Sequence, residues 1–328
     1  MGEPLVKITV IGAAGCVGSA AVFNIAIQGL ADEIVMIGGR RQNVLKQHAM
    51  DLNTAVAAQD ILVRSGSYED LPGSRIVIIA ADASGIDSGS PRVLSSRMEL
   101  LPINLALFRD IGKKIRKLCP EAVVITATNP VDPLNYAMYL LSADRDRRKF
   151  IGYSTNDSFR FRMMAASALG VKTSQVSGTA IGEHGSSQVL LFSSLRVEGK
   201  PVPVSEEFKQ KIREQVPNIL KSYEELKSGR TAGWTSAVGL AHMCRAIGQD
   251  TRDKIPCSVV LEGEYGYHGL SMTAPAMIGH SGVQQILERK LAPDEYQGLE
   301  HSVNTLKPAM RYVEEDLGLS AANEIVHR

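Results

Sequence analysis

Apolar positions fall first into short unbroken runs and later into longer helical stripes. Val6 to Ile11 is a β-branched run ending at a glycine loop, which predicts a strand buried on both faces. Gly12-Ala-Ala-Gly15-Cys-Val-Gly18 follows, and Ser19 to Gly29 carries apolar residues at helical spacing. Glu33 to Ile37 predicts a second strand, stopped by Gly38-Gly39-Arg40-Arg41, and Val44 to Leu52 a helix. Strand, glycine turn, helix, strand is one βαβ unit. The alternation continues with strands at Ile61–Val63, Ile76–Ala81, Ala122–Thr126 and Lys149–Gly152, and with helices at Met98–Leu118 and Asp132–Leu141. Such an order needs crossover helices on both faces of a parallel sheet, so residues 1–152 are expected to form a doubly wound (Rossmann) dinucleotide-binding domain of the α/β class.

Beyond residue 152 the pattern is mixed. It predicts a helix over Ser158–Leu169, strands at Gln188–Leu195 and Arg196–Val202 joined at Val197-Glu-Gly-Lys, and a polar helix Ser205–Lys227 interrupted at Pro217. A helix Trp234–Ile247, a strand Ser258–Glu262 and a terminal helix Pro293–Asp316 kinked at Pro308 complete a second α+β domain, 153–328. No long linker separates the two, so they should pack closely.

Composition narrows the function. Of 328 residues 44% are hydrophobic and 22% charged, an ordinary globular balance. Thirty-six Lys plus Arg against 35 Asp plus Glu leave a net charge of +1, so nothing global draws the protein to nucleic acid or to an anionic membrane. Polar residues such as Gln28, Asp32 and Glu33 interrupt every apolar stretch well short of the ~18 residues a membrane span needs. Cys16, Cys119, Cys244 and Cys257 lack CxxC spacing, so neither a disulfide scaffold nor a metal site is expected. Free thiols and an N-terminus without a cleavage pattern read as cytoplasmic.

Gly12, Gly15 and Gly18 stand immediately after the first strand. The first allows a tight turn, the second clears the side chain that would block a pyrophosphate, and the third lets the helix lie close to the sheet. The first helical N–H groups, around Cys16 and Val17, would then meet the phosphates. At the end of the second strand an acid would accept from the ribose hydroxyls of NAD; Gly38 occupies that place. With Arg40 and Arg41 beside it, the pattern favours NADP over NAD as cofactor.

His184 lies in Gly182-Glu-His-Gly185, whose flanking glycines read as clearance for another molecule. Asp157 opens a helix; paired with His184 it would set the tautomer and support an imidazolium. At this point the chain resembles the lactate and malate dehydrogenase family. The resemblance rests on Gly12 to Gly18, Asn129-Pro-Val-Asp132, Asp157-Ser-Phe-Arg160, Gly182-Glu-His-Gly185-Ser-Ser-Gln-Val189, Gly263-Glu-Tyr-Gly266 and Gly279-His-Ser-Gly282, and so spans nearly the whole chain.

The resemblance implies hydride exchange between an L-2-hydroxy acid and its 2-oxo acid. His184 would carry the hydroxyl proton and Asp157 support it. Arg160 would clamp the substrate carboxylate, and Asn129 would bond substrate oxygen near the nicotinamide. Arg97-Met-Glu-Leu-Leu-Pro-Ile-Asn104 matches the end of the family's mobile loop, which makes Arg97 the polariser of the reacting carbonyl. Malate enzymes carry an arginine six residues earlier; here that place is Pro91, and Arg92 follows it. Arg92 is the candidate for a second carboxylate. The wall around Arg230 and Trp234 is irregular too, so malate, a lactate-like acid or a bulkier 2-oxo acid all stay open. The family assembles as dimers or tetramers, and the apolar residues of Val238–Ile247 are candidates for such an interface. Two other readings stand beside this one. One is a non-catalytic dinucleotide-binding or assembly protein. The other is an NAD-dependent glycoside hydrolase on a related scaffold, which would need metal ligands near His184 or Asn129.

Overall fold

The computed structural model describes residues 6–39, 41–83, 97–226 and 233–319. Six strands form the parallel half: β1 (Lys7–Ile11), β2 (Glu33–Ile37), β3 (Leu62–Ser65), β4 (Ile76–Ile79), β5 (Val123–Thr126) and β6 (Phe150–Gly152). Their order in space is β3-β2-β1-β4-β5-β6, so the winding reverses between β1 and β4, where Val10 pairs with Met36 on one side and Ile78 on the other. Ile8, Val10, Ile76, Val77, Ile78 and Ile79 have no exposed surface, which is why these strands read as continuous apolar runs. Helices α1 (Cys16–Ile27), α2 (Gln42–Ala55), α3 (Leu101–Leu118) and α4 (Val131–Leu141) make the crossovers. On α3 the buried Leu101, Leu105, Phe108, Ile111 and Ile115 recur every three or four residues, a single stripe against the sheet.

The second half holds α5 (Asn156–Leu169), β7 (Val176–Ile181), β8 (Val189–Val197), β9 (Lys200–Pro201), α6 (Glu206–Glu225), α7 (Gly233–Gly248), β10 (Asp253–Glu262), β11 (His268–Gly279), β12 (Gly282–Ile286) and α8 (Pro293–Asp316). The sheet does not stop at β6. Strand β10 pairs antiparallel to it at Ser258 and Gly152, and β11 and β12 follow, giving nine strands in one sheet. A second sheet, β7-β8-β9, packs with α5 and α6 around Phe161, Phe192, Leu195, Ile212 and Val216.

Several expectations need correction. The chain pattern predicted only Ser258–Glu262 of the β10–β12 meander, and it missed β7. Prolines hide the meander: Pro256 and Pro275 face each other in register, and two residues without N–H can do so only where no ladder bond is exchanged. Helix α6 runs unbroken through Pro217, and α8 is one helix through Pro308. The predicted turn at Val197-Glu-Gly-Lys is present, with Glu198 and Gly199 both at positive φ, as a two-residue hairpin loop requires. Of the Val238–Ile247 residues expected at an interface, Leu240, Ala241, Met243, Cys244, Ala246 and Ile247 are buried within the chain, and Val238 is exposed. Among the described residues no helix is long and apolar enough to cross a membrane.

Candidate active site

The glycine turn is built from main chain. Gly12, at φ +88°, donates its N–H to the Ile37 carbonyl at 2.8 Å, and Ala13 donates to the same oxygen at 3.1 Å. A Cβ on Gly12 would lie 2.5 Å from the Ala80 carbonyl carbon, and one on Gly18 would lie 2.4 Å from the Gly12 carbonyl oxygen. Both glycines are therefore demanded by the close approach of β1, β4 and α1. Gly15 is the N-cap of α1 in extended geometry; no side chain caps the helix and no acid stands in its first turn. Such an N-terminus, beginning at Cys16 and Val17, suits a pyrophosphate, because its first-turn N–H groups and partial positive charge favour an anion and no acid stands in that turn to repel one.

At the end of β2 no acid is present. The Gln42 amide spans the turn, donating to the carbonyls of Gly38 (2.8 Å) and Gly39 (3.1 Å). Arg41 is exposed at the start of α2, and Arg40 lies outside the described residues. A Cβ on Gly39 would meet nothing within 4 Å, whereas one on Gly38 would lie 2.8 Å from Leu45 Cδ1.

The reacting groups come from three elements. Helix α5 places Asp157 and Arg160 one turn apart, and the loop after β7 presents His184; all three are buried. Asp157 Oδ2 lies 2.6 Å from His184 Nδ1, and Arg160 Nη1 donates to Asp157 Oδ1 at 3.1 Å. Burial works to raise the Asp157 pKa, but the facing His184, Arg160 and Arg97 outweigh it and hold the carboxyl below its usual range. An ionised Asp157 only accepts, so the ring proton sits on Nδ1 and Nε2 is left as the reactive nitrogen. Arg97 opens a 3-10 turn, Arg97–Leu100, ahead of α3, and its Nη1 stands 3.5 Å from the His184 carbonyl oxygen.

Asn129 lies between β5 and α4. Its carbonyl accepts from Asn104 Nδ2 at 2.8 Å, while its side-chain Oδ1 is buried with no partner among the described residues. A buried acceptor without a donor costs free energy, so it is a position at which a ligand donor would be stabilising. Asn104 also accepts the Ala83 N–H at 2.9 Å and so joins the segments that follow β4 and β5.

Three features went unread in the sequence. Gly182 and Gly185 do not clear space for another molecule. A Cβ on Gly182 would lie 2.5 Å from Ser302 Oγ, and one on Gly185 would lie 2.4 Å from Glu183 Oε1. Glu183 itself accepts the Ser187 N–H at 3.0 Å, which closes the turn that carries His184. Asp132, quoted only as the end of a motif, is fully buried and accepts the His184 N–H at 2.7 Å and the Ser258 hydroxyl at 2.5 Å. Burial pushes its pKa up to about 7, assisted by Glu183 and Asp157 and opposed by the two hydrogen bonds. Only its place in Asn-Pro-Val-Asp marked it in the sequence.

Arg92 and Arg230 lie outside the described residues. Trp234, weighed as a pocket residue or as packing on an apolar helix face, is 73% exposed. With Cys16, Ser19, Ala20 and Phe23 it lines a cavity of about 210 Å³ between α1 and α7. The other three thiols are buried; burial pushes Cys119 up to about 11 and Cys244 up to about 12, and raises Cys257 as well.

A sheet whose winding reverses over a helix N-terminus without a side-chain cap, with a buried histidine–aspartate pair contributed by α5 and the loop after β7, fits the plan of a dinucleotide-dependent dehydrogenase. Family models agree: residues 6–152 match the lactate/malate dehydrogenase NAD binding domain, and residues 155–317 match that family's alpha/beta C-terminal domain. A malate dehydrogenase of Natronomonas pharaonis is 36% identical over 299 residues, covering 89% of this chain and 94% of the relative. An L-lactate dehydrogenase of Halalkalibacterium halodurans is 32% identical over 305 residues, covering 92% and 95%. Among solved structures, the lactate dehydrogenase of Cryptosporidium parvum complexed with lactic acid and nicotinamide adenine dinucleotide superimposes with a TM-score of 0.88 at 29% identity, covering 96% of this chain and 99% of that one. The chain belongs to the lactate/malate dehydrogenase family, and it is a 2-hydroxy acid oxidoreductase that works with a nicotinamide dinucleotide. None of the relatives named here is a glycoside hydrolase or a non-catalytic binding protein.

Proposed function

We propose that the protein interconverts an L-2-hydroxy acid and its 2-oxo acid with His184 as the proton-transfer group. The observation that carries this is the buried row His184, Asp157, Arg160, with contacts of 2.6 and 3.1 Å. When bound, the nicotinamide supplies or accepts the hydride. In oxidation His184 Nε2 takes the substrate hydroxyl proton, and Asp157 stabilises the imidazolium that results; in reduction the same nitrogen returns it. Arg160 spends one guanidinium N–H on Asp157 and keeps others for the substrate carboxylate, which fixes the reacting carbon relative to the imidazole. Arg97 brings positive charge toward the developing alkoxide. Asn129 Oδ1 accepts from a ligand donor. Gly12, Gly15, Cys16, Val17 and Gly18 form the pyrophosphate cradle.

At the adenosine end the reading is NADP in preference to NAD, supported by Gly38 in the acid's place and by the exposed Arg41, with Arg40 as its neighbour. Arg92 is assigned to a second carboxylate, so the substrate is malate if that arginine reaches the pocket and a lactate-like or bulkier acid if it does not. Residues 1–152 serve the cofactor and 153–328 the substrate. Self-association as a dimer or tetramer is supported by an apolar surface formed by Phe23 and Ile27 on α1 and by Trp234 and Val238 on α7, all more than 40% exposed. Four free cysteines, three of them buried, support a cytoplasmic setting.

The test is nicotinamide absorbance with oxaloacetate, pyruvate and branched 2-oxo acids, run on the parent and on two variants. Loss of charge-assisted contacts in Arg160→Gln is expected to raise the KM for the best oxo acid about 10- to 100-fold, whereas Arg97→Gln chiefly lowers kcat. Normal kinetics in both variants would mean the pocket lies elsewhere.

A further inference from the structure

His184 sits on a short turn, so holding its ring at Nδ1 does not by itself hold its main chain. Three ties do. Gly182 exchanges two main-chain hydrogen bonds with Thr273 of β11, at 2.9 and 2.8 Å. The Glu183 N–H donates to Ser302 Oγ of α8 at 2.6 Å. The third tie is at His184 itself, whose N–H donates to Asp132 of α4 at 2.7 Å. It is the one among these whose acceptor is a carboxylate, and the one that joins the catalytic turn to the nucleotide half.

We infer that Asp132 is the positioning residue for His184, acting with Ser258 through the His184 main-chain N–H. The inference deepens the proposed function and rests on His184 being the proton-transfer group. A carboxylate accepting a main-chain N–H in a water-free interior makes a stronger and more directional bond than a neutral acceptor. Its second oxygen is filled by the Ser258 hydroxyl, which lies 2.9 Å from Ser271 Oγ; Ser271 in turn accepts from Asn135 Nδ2 at 3.0 Å. All of these hydrogens can point toward Asp132, the arrangement a carboxylate requires. Displacing the His184 main chain by a fraction of an ångström would turn Nε2 away from the substrate oxygen while leaving the Asp157 contact formed. The charged groups around Asp132 are Glu183 and His184 on the same turn and Asp157 on α5; the ring and Asp157 are also faced by Arg97 and Arg160.

The split of steady-state effects between kcat and KM separates positioning from mere support of the fold. Asp132→Ala is expected to lower kcat at least ~10-fold, with the KM for the oxo acid and the cofactor Kd within ~3-fold of the parent. Asp132→Asn keeps an acceptor for the His184 N–H and should recover kcat to within ~3-fold. Should Asp132→Ala fail to fold, Ser258→Ala serves in its place: it removes the hydroxyl that holds the second carboxyl oxygen and is expected to lower kcat in the same way by less, again with KM and Kd near the parental values. Parent-like kcat in Asp132→Ala, an Asn variant as impaired as the Ala variant, or a loss that falls on KM and Kd rather than on kcat would each overturn the inference. If His184→Ala keeps parental turnover, the functional reading fails and this inference with it. A reaction that depends on His184 and ignores Asp132 overturns the inference alone.

Discussion

Around Gly12 to Gly18 the protein offers main chain, and around His184 it offers buried charge. In the glycine turn the contacts that matter are carbonyl oxygens and N–H groups, packed so closely that a Cβ at Gly12 or Gly18 would come within 2.5 Å of backbone atoms. In the catalytic wall Asp157, Arg160, His184 and Asp132 are all buried, and each is paired. On the proposed reading the first region recognises a ligand that brings its own charge, so it needs only oriented dipoles and room. The second would move a proton, and it carries ionisable groups into a dry interior where each must be compensated. Substitutions should therefore act by steric strain in one region and by electrostatics in the other.

The largest effect should come from the charged wall. His184→Ala is expected to reduce turnover at least ~100-fold, the loss of a positioned acid/base, while nucleotide affinity measured by calorimetry stays near the parental value. A comparable loss of nucleotide binding would erase the distinction between the regions.

The steric side is probed by Gly12→Ala, which adds no charge. Positive φ and the clash with Ala80 are expected to cost about 1–3 kcal/mol of stability, with nucleotide binding weakened at the same time. Denaturant midpoints unchanged from the parent would show that the turn tolerates a side chain and that the account of the cradle is wrong.

Cofactor choice tests where the two principles meet, since a glycine there stands in for a charge. Catalytic efficiency is expected to be at least ~10-fold higher with NADPH than with NADH, because a forked guanidinium meets the 2'-phosphate and no carboxylate repels it. Gly38→Asp should reverse the preference, at some cost in stability because Leu45 must give way to the new Cβ. Equal or better efficiency with NADH in the parent would reject the preference and leave hydride transfer untouched.

The smallest effect is on stability against pH. Asp132 has its pKa raised, to about 7. The stability it contributes is complete below the unfolded value of about 3.9 and is lost as pH rises through about 7. Asp157 is depressed, so its contribution is present above about 3.9 and is lost only as pH falls below that. From pH 5 to pH 8 the parent should therefore lose thermal stability relative to Asp132→Asn. Melting curves that stay parallel over that range would contradict the raised value.

Legibility followed the same divide. The strands β1, β2, β4, β5 and β6 were readable because each is a short apolar run closed by glycine or polar residues, and burial on both faces produces that signature directly, whereas the edge strand β3 has only Val63 buried. His184, Asp157, Arg160 and Arg97 were readable through motif spacing, although nothing in a linear pattern shows that a histidine of one loop meets an aspartate 27 positions earlier. The meander β10–β12 was largely missed because Pro256, Pro275 and scattered serines and threonines break the run.

By itself the sequence determined the alternation of strands and helices in the nucleotide half, the glycine turn after its first strand and the residue types available for proton transfer, because these depend on local periodicity and on steric rules that act over a few residues. Only the tertiary structure decided that the sheet continues past Gly152 into the second half, that Gly182 and Gly185 make room for Ser302 and Glu183, and that Asp132 grips the His184 main chain across 52 positions of sequence. Those outcomes depend on which distant atoms are driven together when the core closes, and a buried carboxylate takes its partner from whatever donor that closure brings within reach.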